Sequence, residues 1–116
     1  MIAMKQKMLV LPMKKKWFDM ILSGVKKQEY REFKPYWNSR VDNWASAYGQ
    51  EMLFETFFMN PLPIMFVNGY GAEAPRFIGW CNGYSIRSTV RHEEWGEGAY
   101  KGIGHYCFHI VRVERG

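Results

Sequence analysis

The sequence has 116 residues, of which 47% are hydrophobic and 23% are charged. This length suits one domain, which we expect to span residues 1–116, and the composition excludes a mostly disordered chain. No apolar run approaches the roughly 20 residues that a membrane-spanning helix needs, and no secretory leader is recognisable. We therefore expect a cytoplasmic protein without a membrane partner, in which Cys81 and Cys107 are reduced thiols.

Positive charge is concentrated at the start of the chain. The formal net charge is +5, and residues 1–34 carry +6 whereas residues 35–116 carry −1. If the basic residues share one face, that face attracts anions such as the phosphates of a nucleic acid; a merely solvating surface is the alternative. The 17% aromatic content adds candidates for stacking on bases, although most of these side chains are needed in the core.

In the first half of the chain the pattern predicts a strand, a helix, a strand and a second helix. The apolar run Met8–Leu11 predicts a strand that Pro12 ends. Apolar residues at helical spacing then predict a short amphipathic helix over 14–23. Alternation over Lys26–Phe33 predicts a strand with a charged face, and an aromatic stripe predicts a core-facing helix over 36–48.

The second half of the chain reads as β-structure. Apolar runs predict strands at Ile64–Val67, Arg76–Cys81 and Tyr84–Val90, the last two joined by a turn at Asn82-Gly83. A final strand is predicted at Tyr106–Val113. The element order β-α-β-α-β-β-β-β indicates an α+β fold: a small β-barrel of about five to six strands with two flanking helices.

The most informative stretch is Gly24-x-Lys26-x-x-Glu29-x-Arg31, in which a glycine ends the first helix and the next strand carries a cation, an anion and a cation. Arg31 offers a planar fork of donors for phosphate or carbonyl oxygens, and Lys26 offers a mobile point charge. Glu29 is either a base or the partner that neutralises both cations. The alternative is an exposed salt-bridge ladder that contributes little to stability.

This stretch resembles the signature of the ASCH domain, G-x-K-x-x-[E/T]-x-R. Two segments around it, Leu11-Pro12-Met13-Lys14 and Ile21-Leu22-Ser23-Gly24, are also similar to that family. Three later segments are similar to a subgroup often found in phages and prophages: Asn68-Gly69-Tyr70, Ala74-Pro75 and Glu94-Trp95-Gly96. The resemblance is most specific over residues 9–31. The predicted helix at 36–48 looks like an insertion relative to the smallest members.

The resemblance implies a barrel like that of the PUA domain, which binds RNA, with the charged motif in a cleft between barrel and helix. Some ASCH proteins are amidohydrolases that deacetylate N4-acetylcytidine with a lysine and a threonine of the motif. Their lysine falls on Lys26, the family's arginine falls on Arg31, and Glu29 replaces the threonine. Glu29 would then have to activate water, because a carboxylate does not substitute for a hydroxyl nucleophile. The third acid of those enzymes falls on one of three residues, Glu93, Glu94 or Glu97.

A metal site is the weaker interpretation of another pattern. His105, Cys107 and His109 alternate, so their side chains share one face of the last strand and, with Cys81 or His92, present metal-binding atoms. Three ligands on one strand are not a common closed site, and we interpret them as core residues. We expect neither a metal nor a cofactor.

We predict an RNA- or nucleotide-binding domain. Its cleft is expected to combine four charged side chains with an aromatic one. The charged residues are Lys14, Lys26, Glu29 and Arg31, and the aromatic residue is Tyr70 or Trp95. One alternative is an amidohydrolase acting on an N4-acylated cytidine, or a ribonuclease, with Lys26 and Glu29 as catalytic groups. A second alternative is a non-catalytic phage or host accessory protein whose basic face binds an acidic partner.

Overall fold

Seven helices and strands form in the part of the chain that the computed structural model describes, residues 7–49, 55–87 and 105–115. In chain order they are β1 (Leu9–Met13), α1 (Lys15–Leu22), β2 (Gln28–Glu32), α2 (Pro35–Ala47), β3 (Glu55–Asn68), β4 (Arg76–Arg87) and β5 (His105–Arg115). The strands make one curled sheet in the order β1-β3-β4-β5-β2. Strands β1 and β3 are parallel and the other neighbours are antiparallel. The α+β class with two helices is therefore confirmed.

The predicted turn at Asn82-Gly83 is wrong, because β4 runs through it as one continuous strand. Neighbouring strands pair with β4 on both sides of this position. In the pairing with β5 two irregularities offset each other, since one residue of β5 (Val111) and one of β4 (Asn82) are each left out of the register between Trp80 and Gly83. Strand β3 begins at Glu55, earlier than predicted, and shifts register between Phe57 and Leu62.

Pro12 does not end β1, which continues to Met13. Strand β1 lies at one edge of the described sheet. An edge strand makes no ladder hydrogen bonds on its outer side, so the missing N–H of Pro12 costs none there. Its inner side pairs with β3, from Leu9 opposite Ile64 onwards. The prediction was wrong here because edge and central strands tolerate proline differently.

The core lies between the curled sheet and the two helices. Helix α2 buries Val41, Trp44 and Ala45, as its aromatic stripe predicted, and Trp44 Nε1 donates a 2.9 Å hydrogen bond to the Pro63 carbonyl in β3. Helix α1 buries Phe18 and Ile21. Neither described helix is long and apolar enough to cross a membrane.

Gly79 in β4 marks the tightest approach in the sheet. A Cβ atom there would lie 2.4 Å from Cε2 of Phe66, which is itself fully buried and stacked against Phe77. Only a residue without a side chain therefore allows the Phe66 ring to lie flat across this part of β4.

Candidate functional site

The connection from α1 to β2 brings a lysine back against the helix it has just left. Gly24 has φ +87°, a left-handed conformation that favours glycine, and it reverses the chain after α1. The Lys26 N–H then donates a 2.9 Å hydrogen bond to the carbonyl oxygen of Met20. This places the Lys26 side chain at the start of β2, beside the last turn of α1.

Alternation along β2 sends its side chains to two faces. Gln28 and Tyr30 lie on one face and Glu29 and Arg31 on the other. Both faces are covered, since Glu29 is 6% exposed and Tyr30 is 5% exposed. Charged and polar groups are thereby held in a largely dry environment, in which they interact more strongly than on an open surface.

Lys26, Glu29 and Arg31 form one ionic cluster. Lys26 Nζ lies 3.2 Å from Glu29 Oε1, and Arg31 Nη1 donates to Glu29 Oε2. The side chains are only 10%, 7% and 14% exposed in that order, so this is not the exposed ladder that the sequence left open. Two cations on one carboxylate leave the cluster with a formal charge of +1.

Arg31 is held on several sides within this cluster. Besides Glu29, its Nη1 atom donates to its neighbour's carbonyl, that of Tyr30, at 2.9 Å, and its Nη2 atom donates to the Pro12 carbonyl on β1 at 2.7 Å. The guanidinium also lies 5.3 Å from the ring centroid of Trp37. These contacts engage Arg31 with the protein itself and make it a structural clamp.

A cleft of about 390 Å³ opens between α1 and the start of β2. Its lining includes Trp17 and Met20 from α1, and Lys26, Gln28 and Tyr30 from the returning chain. Of the three members of the ionic cluster, Lys26 is the one among the described lining residues. The Lys26 ammonium group also donates to the Gln28 carbonyl, so one of its three N–H donors is left for a molecule in the cleft, while Glu29 and Arg31 are not among the lining residues.

Trp17 is the aromatic side chain at this cleft that two cations approach. Lys16 Nζ lies 4.8 Å and Lys26 Nζ lies 5.9 Å from its ring centroid, and the side chain is partly exposed. Lys26 Nζ also lies 4.7 Å from the Tyr30 centroid. The cleft thus joins the partly exposed Trp17 ring to positive charge, the combination found in proteins that bind single-stranded nucleic acids.

Hydrogen bonds fix the orientation of the Gln28 amide in the cleft wall. Tyr30 Oη donates to Gln28 Oε1 at 2.8 Å, and Gln28 Nε2 lies 3.2 Å from His109 Nδ1 on β5. Ser85 Oγ lies 3.4 Å from the other ring nitrogen of His109. Because Oε1 accepts from the tyrosine, Nε2 is the amide atom that donates to the imidazole.

Lys14 and Tyr70 are not among the described residues that line the cleft. Both side chains are exposed, Tyr70 to 87%, and both follow the carboxyl ends of the parallel strands β1 and β3. The Gly69 N–H donates a 2.9 Å bond to the Met13 carbonyl, which brings these two positions together. Trp95 and His92 fall outside the described residues. So do the three candidate acids, Glu93, Glu94 and Glu97.

The residues of the metal interpretation are mostly buried. His105 and Cys107 are inaccessible in the interior, and His109 contacts the polar groups named above. Within residues 7–49, 55–87 and 105–115, no group of three metal-binding side chains comes together. Burial raises the pKa of the Cys81 thiol to about 12, which keeps it protonated and unreactive near neutral pH.

Sequence reasoning missed Trp17 and Gln28 as members of the cleft. Trp17 was assigned to the apolar stripe of α1, and helical spacing alone does not separate a core position from one at the mouth of a cleft. Gln28 lies between two charged candidates. Its alternation with Glu29, which sends it to the opposite face of β2 beside His109, was the available signal.

Comparisons of this chain with protein-family models, with curated proteins and with solved structures return no match.

Proposed function

We propose that this chain is an ASCH-type domain that binds single-stranded RNA or a nucleotide in the cleft between α1 and β2. The observation that carries the proposal is that the Lys26 ammonium group lies within 5.9 Å of the Trp17 ring centroid and 4.7 Å of the Tyr30 centroid, and that all three residues line the cleft. A base stacked on an aromatic ring and a phosphate paired with a lysine are the two contacts that small single-strand-binding sites use most.

The charge of the ionic cluster supports an anionic ligand. Glu29 neutralises one of its two cations, and the remaining positive charge is nearest to the cleft at Lys26. Lys27, which is exposed and also lines the cleft, adds a second cation at the mouth. A phosphate entering here exchanges counterions for these lysines, so binding will weaken steeply with salt.

The same contacts disfavour the hydrolase and ribonuclease alternatives. Glu29 is 7% exposed and both of its oxygens already accept from cations. A general base must reach water in the cleft, and two paired cations make a carboxylate a weaker base. The described cleft wall presents Lys26 instead of Glu29. We therefore assign Glu29 to neutralisation of the cluster and not to proton transfer.

The accessory-protein alternative relies on the exposed run Lys14–Lys16, which lies at the start of α1. A basic surface for an acidic protein needs no cleft. A nucleotide site needs both the lysine and the ring. The two proposals therefore differ in whether Trp17 contributes to binding.

A fluorescence-anisotropy titration of a labelled single-stranded uridine hexanucleotide, at 50 mM and 200 mM salt, tests the proposal. Lys26→Gln and Trp17→Ala should each weaken binding, and Lys26→Gln should also reduce the slope of log K against log salt by about 0.7. Arg40→Gln removes one positive charge from α2 and serves as the matched control.

Binding that is unaffected by both cleft variants, or equally affected by Arg40→Gln, contradicts a cleft site. Loss of RNA binding on charge reversal of Lys14–Lys16, with Trp17→Ala unchanged, moves the binding surface from the cleft to this lysine run and contradicts a cleft site. Incubation of N4-acetylcytidine with the protein tests the hydrolase separately: turnover that disappears in Glu29→Gln would return Glu29 to the reaction.

A further inference from the structure

An exposed aromatic ring lies beyond the cleft, on the outer face of the same sheet. Phe57 of β3 is 65% exposed, and its ring stacks on that of His109 with centroids 5.9 Å apart and an interplanar angle of 20°. One exposed apolar side chain is ordinary on a protein surface, but here Met59 of the same strand is 94% exposed as well, and the Phe57 ring is held in place by the His109 ring.

Pairing across four strands connects this ring to the cleft. Phe57 pairs with Gly83 of β4, Gly83 pairs with His109 of β5, and His109 pairs with Gln28 of β2. The strands β3 and β5 lie on either side of β4, about 10 Å apart, so both rings lean over Gly83 to reach 5.9 Å.

Hydrogen bonds continue the row into the cleft wall. His109 Nδ1 lies 3.2 Å from Gln28 Nε2, and the Gln28 amide is also held by Tyr30. Three steps between neighbouring strands separate Gln28 from Phe57, a span of about 14 Å. That span exceeds one nucleotide and suits a short single strand that leaves the cleft and crosses the sheet.

We propose that Phe57, backed by the His109 ring, is a second base-stacking position for the RNA strand whose first nucleotide occupies the cleft. This inference depends on the proposed function and deepens it, since it makes the preferred ligand an oligonucleotide. The occupant is an unpaired base, because a flat ring open on a sheet surface stacks on any base without reading its sequence. The Gln28 amide contacts Tyr30 in the cleft wall and His109 below Phe57, so it links the cleft to the second position.

The test compares a uridine monophosphate with a uridine hexanucleotide on the full chain. Phe57→Ala should weaken hexanucleotide binding roughly 5- to 100-fold and leave monophosphate binding within about 2-fold. Phe57→Trp should restore hexanucleotide binding. Tyr36→Ala removes another exposed aromatic side chain, on α2, and should leave both affinities unchanged. Circular dichroism confirms that each variant is folded.

The outcomes separate the two proposals. If the unaltered protein binds both ligands and Phe57→Ala binds the hexanucleotide as tightly as the parent, the stacking position is wrong and the cleft site stands. If the unaltered protein binds neither ligand, both proposals fail together. Equal loss of both ligands in Phe57→Ala also overturns the second position, because the monophosphate does not reach it.

Discussion

Arg31 Nη2 on β2 donates a 2.7 Å hydrogen bond to the carbonyl oxygen of Pro12 on β1. These two strands are the edges of the described sheet, so one side chain joins edges that share no ladder in this part of the chain. The same guanidinium pairs with Glu29, which in turn pairs with Lys26 at the cleft. The residues that close the curled sheet are therefore continuous with Lys26, which lines the cleft.

Removal of the Arg31 side chain should destabilise the fold. Arg31→Ala breaks the contact between the edge strands and leaves Glu29 nearly buried with one cation, which we expect to lower the free energy of unfolding by about 2–4 kcal/mol. Urea denaturation measures this. Arg40→Ala, on the exposed side of α2, should cost less than about 1 kcal/mol. Equal losses for the two variants would show that Arg31 is not a clamp.

Substitution of Glu29 should separate stability from binding. Glu29→Gln keeps the shape but leaves Lys26 and Arg31 without their shared carboxylate, so the free energy of unfolding should fall by about 1–3 kcal/mol. Anion affinity should be retained or increased, because the cleft becomes more positive. Glu32→Gln, whose exposed carboxylate pairs with Lys34, should change either property little. Lost RNA binding at unchanged stability would contradict this role.

A methyl group at position 79 should strain the core. Gly79→Ala places a Cβ about where the Phe66 ring lies, and we expect a loss of about 1–3 kcal/mol in the free energy of unfolding. A smaller neighbour should relieve the clash, so Gly79→Ala with Phe66→Leu should cost less than the sum of the two single changes. Thermal denaturation of the four proteins in this cycle measures the coupling. Strict additivity would contradict the close approach.

Alkaline pH should weaken the fold through a buried thiol. Burial raises the pKa of Cys81 from 9.0 to about 12, so the folded state keeps a proton that the unfolded state releases. The contribution of the protonated thiol to the free energy of unfolding is fully present below pH 9. It is lost as pH rises toward 12, at up to about 1.4 kcal/mol per pH unit. Burial raises the pKa of Tyr106 as well, which adds loss in the same direction.

Urea denaturation at pH 8 and pH 11 measures this dependence. The loss of stability between the two pH values should be smaller in Cys81→Ala than in the parent, although the variant is less stable at pH 8 because it has a cavity. An identical loss in both proteins would show that the thiol titrates alike in the folded and unfolded states.

Local patterns in the sequence identify most of the secondary structure, and their failures have physical causes. Glycine at the end of α1 and the stripe that includes Trp44 are local signals, and both hold. The continuity of β4 through Gly83 depends on partners on both sides, which a two-residue turn signal does not contain. Tolerance of Pro12 likewise depends on the position of β1 at the sheet edge.

The candidate site divides in the same way. The sequence places Glu29 and Arg31 together, because residues two apart on a strand share a face, and Lys26, which precedes the strand, joins them through its long side chain. That Lys26 faces the cleft while Arg31 faces the sheet edge depends on Gly24 and on the approach of β1, which are properties of the folded chain. The contribution of Trp17 depends on the cleft between α1 and β2, whose two walls are separate in the sequence.

In the proposed complex a nucleotide occupies the cleft at Lys26 and Trp17. Intermolecular nuclear Overhauser effects in a complex with the uridine hexanucleotide test it most directly. We predict contacts between base protons and the Trp17 ring protons, and between ribose protons and the Cε protons of Lys26. Contacts confined to surfaces other than this cleft, with the Trp17 resonances unchanged at saturation, would contradict the account.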